Sequence, residues 1–297
     1  MAKSMIMGAS RRFHYKDYLE LTKPKVVLLI LLTALVGMVL ASAELPSFSL
    51  ITASILGIGS LSGAAAVINH VVDQKVDSLM ARTYQRPIAR GRVTSTHALC
   101  FAILLACFGF TILVLAVNWL TAWLTFASLV GYAFIYTLYL KRATPQNIVI
   151  GGLAGAMPPL LGWTAVTNQL DPNALLLVMI IFTWTPPHFW ALAIHREKDY
   201  SKAKIPMLPV THGIEFTKTM VVLYSAILFL VCLLPWLVGM VEYCYLIACI
   251  LLNGRFLQLA LRLKRQVDHK DAFKLFKFSI IHLMLLFIAL MVDHFIF

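Results

Sequence analysis

Three polar side chains with the spacing of one helix face stand at the end of a long apolar stretch of this sequence. They are Asn69, Asp73 and Asp77, which follow one another at intervals of four residues. On a helix this interval places all three on nearly the same side. Two carboxylates one turn apart repel each other unless a cation lies between them, and Mg²⁺ suits such a position because it binds carboxylates together with substrate phosphates. The motif therefore predicts a Mg²⁺-diphosphate site, with Asp73 and Asp77 as metal ligands and Asn69 orienting them.

Basic residues follow the acidic motif closely in the sequence. Arg82 and Arg86 come first, and two further arginines lie before residue 93. Guanidinium groups donate paired hydrogen bonds to phosphate oxygens, so these arginines fit the same diphosphate hypothesis. The alternative is that the segment is a solvated helix end whose charges merely balance each other.

The composition predicts an all-α, polytopic membrane bundle. The 297 residues are 60% hydrophobic and 13% charged, whereas soluble domains are about a quarter charged. Nine apolar runs approach the roughly 20 residues that a spanning helix needs. We expect one intramembrane domain over residues 1–297, with residues 1–25 as a basic cytoplasmic segment. The nine runs are 26–43, 50–72, 97–117, 119–140, 148–167, 174–194, 219–238, 241–261 and 278–297.

Loop charge predicts the orientation of these spans. The N-terminal segment and every second loop are rich in Lys and Arg, and the loops between them contain neither. By the positive-inside rule the N-terminus lies inside, the C-terminus lies outside, and the acidic motif faces the cytoplasm. Topology therefore explains the net charge of +12, and nucleic acid is not expected as a partner. The short chain, which begins without a long presequence, favours a bacterial inner membrane.

Other polar residues are predicted on the same inner side. Lys141 follows the fourth run, where it serves either topology or substrate binding. Glu197 and Asp199 are two residues apart, so on a helix only one of them can face the acidic motif. We select Asp199, with an ordinary loop charge as the alternative.

The sixth run contains an ionisable residue beside two prolines. Pro186 and Pro187 each lack a backbone N–H, so they are expected to kink the helix or to break it locally. His188 follows them, and ionisable groups within spans tend to be functional. Its imidazole could bind haem iron or hydrogen-bond a carbonyl freed by the prolines. Trp184 and His195 lie nearby, the latter on roughly the same helix face.

The acidic motif, with Arg86-Pro87 and Gly91-Arg92 after it, resembles the first motif of the UbiA superfamily of intramembrane prenyltransferases. The resemblance covers nearly the whole chain from residue 18 onward. Segments 184–190 and 205–209 are similar to one branch, whose members transfer a farnesyl group to protoheme IX. The second motif of the superfamily usually has two aspartates four residues apart, whereas only Asp199 is well placed here.

The resemblance implies farnesyl diphosphate and protoheme IX as substrates, Mg²⁺ as cofactor, and a product passed to haem A synthase or to the assembly of a terminal oxidase. Two alternatives remain open: a prenyltransferase acting on an aromatic quinone precursor, and a non-enzymatic haem-binding membrane chaperone. The residues implied are, for catalysis, Asn69, Asp73, Asp77 and Asp199; for diphosphate binding, Arg82, Arg86, Lys141 and Lys204; and for haem binding, Trp184, His188 and His195.

Overall fold

The computed structural model of the chain describes residues 14–80, 83–267 and 269–297. The described residues are helical or irregular, with no strand among them, so the all-α prediction is confirmed. The helices are α1 Tyr15–Leu21, α2 Pro24–Leu40, α3 Phe48–Val72, α4 Gln74–Asp77, α5 Ser95–Ala116, α6 Trp119–Val130, a π-helix Gly131–Leu140, α7 Lys141–Ala143, α8 Asn147–Ala156, α9 Pro158–Thr167, α10 Pro172–His195, α11 Glu197–Lys202, α12 Leu208–Thr211, α13 Ile214–Leu237, α14 Tyr243–Arg265 and α15 Lys270–Ile296.

Each predicted run corresponds to a helix or to two or three joined helices. In the described part of the chain, eight helical stretches are long and apolar enough to cross a membrane, or nine if α1 and α2 form one span. Those two helices meet at 52°. The fourth run comprises α6, the π-helix and α7, and the fifth comprises α8 and α9. Membrane-spanning helices are thereby confirmed, whereas the inside–outside orientation stays a prediction.

The two prolines of the sixth run do not interrupt their helix. α10 continues through Pro186 and Pro187 to His195, so the predicted local break is wrong. Two threonine hydroxyls beside the prolines, those of Thr183 and Thr185, donate to carbonyls one turn earlier at 2.8 Å. Neither carbonyl is one that the prolines leave without a donor, because those carbonyls lie four residues before each proline.

A close crossing of α2 and α9 fixes the first span against the centre of the bundle. Gly37 in α2 lies against the backbone of Pro159, and Gly162 in α9 lies against the backbone of Ala34, with no room for a methyl group at either position. Small residues allow membrane helices to approach this closely, since packing rather than hydrophobicity holds them together. The crossing anchors α2, whose first residue directly follows Lys23.

A small apolar cluster joins the two loops that were predicted to carry polar chemistry. Met80, which follows the acidic motif, is buried together with Tyr200, Ile205 and Met207. The segment after α10 therefore packs against the segment after α3, as expected if both contribute to one site.

Candidate active site

The acidic motif keeps its helical register although α3 ends at Val72. The backbone N–H of Asp73 donates to Asn69 O at 3.0 Å, and that of Asp77 donates to Asp73 O at 2.8 Å. The three side chains are only 4%, 1% and 3% exposed. Buried carboxylates require compensation by cations, hydrogen bonds or a metal. The alternative of a solvated helix end is therefore wrong.

Each carboxylate of the motif is paired with a cation from another segment. Lys141 Nζ lies 2.5 Å from Asp73 Oδ2. Arg86 Nη1 lies 2.8 Å and 2.7 Å from the two carboxylate oxygens of Asp77. The structure thus brings together four of the residues selected from the sequence. A negatively charged ligand at this position would meet both cations.

A third cation belongs to the same cluster and was not selected from the sequence. Lys23 Nζ donates to Asn69 Oδ1 at 2.6 Å. The amide of Asn69 donates in turn to Asp73 Oδ2 at 2.9 Å and to Thr137 Oγ1 at 3.3 Å. The sequence offered one sign that Lys23 is special: it stands just before Pro24, where a helix begins. Thr137 lies inside an apolar run, and nothing in the sequence pointed to it.

The π-helix explains how Thr137 and Lys141 reach the acidic motif. Thr137 Oγ1 donates to Tyr132 O, five residues earlier, at 2.8 Å. Because a π-helix turns less per residue than an α-helix, ten residues of it change the direction of every side chain that follows. Lys141 is the first residue after this segment. Apolar periodicity at the α-helical period could not have placed it opposite Asp73.

The carboxylates fit a magnesium ion that arrives with its substrate. Asp73 Oδ1 is buried and has no hydrogen-bond partner among the described residues, so one hard oxygen is left for a ligand. Within the same residues, no group of three or more His, Cys, Asp or Glu side chains could hold a metal unaided. Mg²⁺ is commonly bound by one or two carboxylates, with waters and substrate phosphates completing its shell.

Two other selected residues, Asp199 and Lys204, lie less centrally, and a third lies outside the described residues. Asp199 Oδ2 is 3.6 Å from Arg196 Nη1, within its own segment, which is longer than a hydrogen bond. Lys204 is exposed and has a φ of 53° at the turn that follows α11. Arg82 lies outside the described residues. The apolar cluster around Met80 brings the Asp199 segment beside the motif.

Trp184 and His188 form one buried aromatic cluster with α15. The imidazole of His188 is stacked between Trp184, at a centroid distance of 4.2 Å, and Phe276, at 4.7 Å. Trp184 Nε1 donates to Ser279 O at 2.9 Å. His188 Nδ1 lies 2.6 Å from Ser279 Oγ, rather than on a carbonyl freed by the prolines. Ser279, in an apolar run, was not selected from the sequence.

The serine contact selects a tautomer for His188. Ser279 Oγ lies 2.7 Å from Phe276 O and donates its only hydrogen there. His188 Nδ1 must then donate to Ser279, which leaves the lone pair on Nε2 free to accept a hydrogen bond or bind a metal. His195 is different, because it is exposed at the end of α10 and stacks on Phe273 at 4.7 Å.

Solved structures share this fold at low sequence identity. A structure described as that of digeranylgeranylglyceryl phosphate synthase matches 95% of this chain and 99% of its own, with a TM-score of 0.79 and 17% identity. A UbiA homologue from Archaeoglobus fulgidus bound to GPP and Mg²⁺ covers 92% and 99%, with a TM-score of 0.63 and 16% identity.

Curated relatives are much closer in sequence. A protein named protoheme IX farnesyltransferase 2, from Pseudoalteromonas atlantica, is 64% identical over 95% of this chain and 92% of its own length. Protoheme IX farnesyltransferase from Idiomarina loihiensis is 59% identical over 97% and 96%. The model of the UbiA prenyltransferase family matches residues 30–289. The chain is therefore a member of the UbiA prenyltransferase family.

Proposed function

We propose that this chain transfers the farnesyl group of farnesyl diphosphate to a vinyl group of protoheme IX, with addition of water, forming haem O and diphosphate. The observation that carries the proposal is the buried pair Asp73 and Asp77, surrounded by Lys23, Arg86 and Lys141. The names of the relatives, at 59–64% identity, supply the acceptor.

The cations of the site would bind the diphosphate and stabilise it as it leaves. Lys23, Arg86 and Lys141 come from three separate segments, so they can approach the phosphate oxygens from different directions. Arg82 and Lys204 are proposed to join them when substrate is bound. Mg²⁺ held by Asp73 and Asp77 would neutralise part of the diphosphate charge. Charge stabilisation of this kind is usually the largest contribution to catalysis.

The reaction exchanges one carbon–oxygen bond for one carbon–carbon bond. The bond between C1 of the farnesyl group and the diphosphate oxygen breaks, and its electron pair leaves with diphosphate. The vinyl π electrons of the porphyrin form a bond to C1, and water then adds to the resulting cation and loses a proton. The apolar helices would keep water from the allylic cation before the porphyrin reacts. Asp199 is proposed to act from the neighbouring segment, beside the diphosphate.

The haem half of the site is proposed to lie along α10 and α15. Both faces of the His188 ring are covered by aromatic side chains, so a ligand can reach it only at the Nε2 edge. That geometry suits an axial bond to haem iron. Trp184 would support the His188 ring from one side. The exposed imidazole of His195, at the inner end of the same helix, would also contribute to haem binding. Bond formation occurs at the porphyrin edge, so iron coordination would orient the acceptor rather than activate it.

We further propose a multi-pass protein of a bacterial inner membrane, with its active face in the cytoplasm. The charge distribution of the loops supports this orientation, with the N-terminus inside and the C-terminus outside. The product would then be released for haem A synthase or for assembly of a terminal oxidase.

The test is the mass of the haem formed in membranes that contain this chain, given protoheme and farnesyl diphosphate. The expected product gains the mass of one farnesyl group plus one hydroxyl group. Prenylation of 4-hydroxybenzoate instead of haem would favour the aromatic quinone precursor as acceptor. Haem binding without any transfer, unchanged in Asp73→Asn, would favour the haem chaperone.

A further inference from the structure

The short helix before the first full span carries a buried carboxylate. Asp17 in α1 is 6% exposed, although the neighbouring face of the helix is accessible. Its partner is Arg92, 75 residues further along the chain, with Nη1 at 2.5 Å from Asp17 Oδ1. Arg92 Nη2 donates to Gln85 O at 3.0 Å and lies 3.4 Å from Glu20 Oε2. One arginine therefore fastens α1 to the segment that follows the acidic motif.

This contact is notable because the motif carries more arginines than the diphosphate site uses. Arg86 points its guanidinium at Asp77, inside the cation cluster. Arg92 directs both of its terminal nitrogens at α1 and at the backbone of its own segment, and not at Asp73 or Asp77. These contacts point to an indirect contribution of Arg92 to the site.

The indirect route runs through Lys23, two residues after α1 ends. Among the described residues, Lys23 is one of three other than glycine with a positive φ, which is 52°. A positive φ is unfavourable for lysine, so it is kept only where the structure before and after the residue holds the backbone in place. On one side α2 is fixed by its crossing with α9. On the other side α1 is fixed by Asp17 and by the edge-on contact of Tyr18 with Phe101, at 5.2 Å between ring centroids.

We propose that the ion pair of Asp17 and Arg92 is a positioning device for the diphosphate site. It holds α1 against the segment after the acidic motif, and the bend of 52° between α1 and α2 then directs the Lys23 ammonium onto Asn69. Without the pair, α1 detaches, the backbone of Lys23 relaxes, and the site loses one cation. This proposal rests on one part of the proposed function, namely that the cations bind a prenyl diphosphate.

The variant Asp17→Asn is expected to raise the KM for farnesyl diphosphate on the order of tenfold, the loss expected for one hydrogen bond between charged groups. The KM for protoheme should not change, because α1 packs against α3 and not against α10 or α15, which carry the aromatic cluster. Lys23→Met should give the same shift. Glu20→Gln is the matched control, since Glu20 lies in the same helix and contacts the same arginine, Arg92, but is half exposed.

The decisive measurement is a double-mutant cycle between positions 17 and 23. If Asp17 acts through Lys23, Asp17→Asn has no further effect on KM in the Lys23→Met background. Additive effects would overturn the proposal, and so would an equal rise in both KM values. Should Asp17→Asn reduce the amount of folded protein, Arg92→Lys replaces it, because lysine keeps the charge but loses the fork. A smaller shift of the same kind is then expected, and an unchanged KM would overturn the proposal.

Binding of farnesyl thiodiphosphate, measured by calorimetry without haem, separates this proposal from the proposed function. Asp17→Asn should weaken that binding and Glu20→Gln should not, whichever acceptor the enzyme uses. If the wild-type protein binds the analogue but leaves protoheme unmodified, the acceptor assignment fails and the positioning role still stands. Equal affinity in Asp17→Asn and wild type overturns the positioning role alone.

Discussion

The ammonium nitrogen of Lys141 lies 2.5 Å from Asp73 Oδ2, although 68 residues separate the two in the chain. Their side chains are 15% and 2% exposed, so the pair is largely removed from water. Breaking such a pair from one side leaves an uncompensated buried charge, which is strongly unfavourable. A diphosphate with its Mg²⁺ would offer a new counterion to both partners at once. The pair therefore suits a site whose charges are compensated before the substrate enters.

Replacing Lys141 should impair catalysis more than folding. Lys141→Met is expected to lower kcat/KM for farnesyl diphosphate by about a hundredfold or more, roughly 2.7 kcal/mol, because a cation aimed at the developing charge is lost. Steady-state kinetics on purified protein in lipid vesicles would measure it. Arg142→Met is the control, since Arg142 is exposed and donates to the backbone oxygen of Val72, at 3.3 Å, and not to a carboxylate of the motif. Equal losses in both variants would contradict a specific role for Lys141.

Neutralising Asp73 should abolish turnover through loss of the metal. Asp73→Asn keeps the shape of the side chain but removes the charge that Mg²⁺ requires. The activation free energy should therefore rise by several kcal/mol. Chelation by EDTA should have the same effect in wild type, with recovery on addition of Mg²⁺. Asp171→Asn is a matched control, because Asp171 caps α10 at 2.7 Å and asparagine is an equally good cap. Activity of Asp73→Asn at the wild-type rate would exclude the diphosphate site.

The fold could be predicted from the sequence because a bilayer restricts the possible structures. Apolar length and loop charge are local properties, and they located every spanning helix. The predicted ends were close in 174–194 against Pro172–His195, and up to eight residues off in 278–297 against Lys270–Ile296. The π-helix could not be predicted, since ten apolar residues carry no sign of a five-residue hydrogen-bond repeat. The proline pair was expected to kink or to break α10. The local break is wrong, because a helix packed on several sides tolerates proline better than an isolated one, and the kink stays a prediction.

The candidate site could be predicted only where charge spacing revealed it. Asp73 and Asp77 stand at a helical interval, and Arg86 follows closely. The sequence alone therefore predicted that these three side chains lie together. Lys23 and Ser279 are brought to their partners by tertiary packing, and neither shows a pattern in its own segment. The structure added them because contacts across 46 and 91 residues depend on how the helices pack.

The crossing of α2 and α9 predicts a sharp difference between two glycines. A methyl group at Gly162 would overlap the carbonyl oxygen of Ala34, so Gly162→Ala should force the helices apart and destabilise the protein by about 1–3 kcal/mol. A methyl group added at Gly254 in α14 would meet open space, so Gly254→Ala should leave the stability unchanged or raise it slightly. Thermal unfolding in detergent would compare them. A lower Tm for Gly254→Ala than for Gly162→Ala would contradict the crossing.

The inside–outside orientation can be tested with reporter fusions. Alkaline phosphatase matures only outside the cytoplasm, so its activity reports the side on which each loop lies. Fusions expected to be active follow residues that the loop charges place outside: Glu44, Asn118, Asp171 and Phe297. Fusions expected to be inactive follow residues placed inside: Arg92, Arg142 and Lys204. Active reporters at the second set would reverse the side assigned to the catalytic motif.

The last prediction separates the acceptor half of the site from the diphosphate half. His188→Ala should reduce haem binding and haem O formation, because the Nε2 lone pair proposed to bind iron is removed. Binding of farnesyl thiodiphosphate should be unchanged, since the cation cluster lies on other segments. Ser279→Ala should have a milder effect of the same kind, because it removes the contact that holds the proton on Nδ1.

Soret spectra of the haem-loaded protein would measure this directly, since a change of axial ligand shifts the band. His212→Ala is the control, because His212 is exposed and contacts Thr211 and Phe216 away from α10 and α15. An unchanged Soret band in His188→Ala, with haem O formation also reduced, would mean that the imidazole shapes the pocket without binding iron. Normal haem O formation in His188→Ala would place the acceptor elsewhere in the bundle, and the aromatic cluster of Trp184 and Phe276 would then serve packing alone.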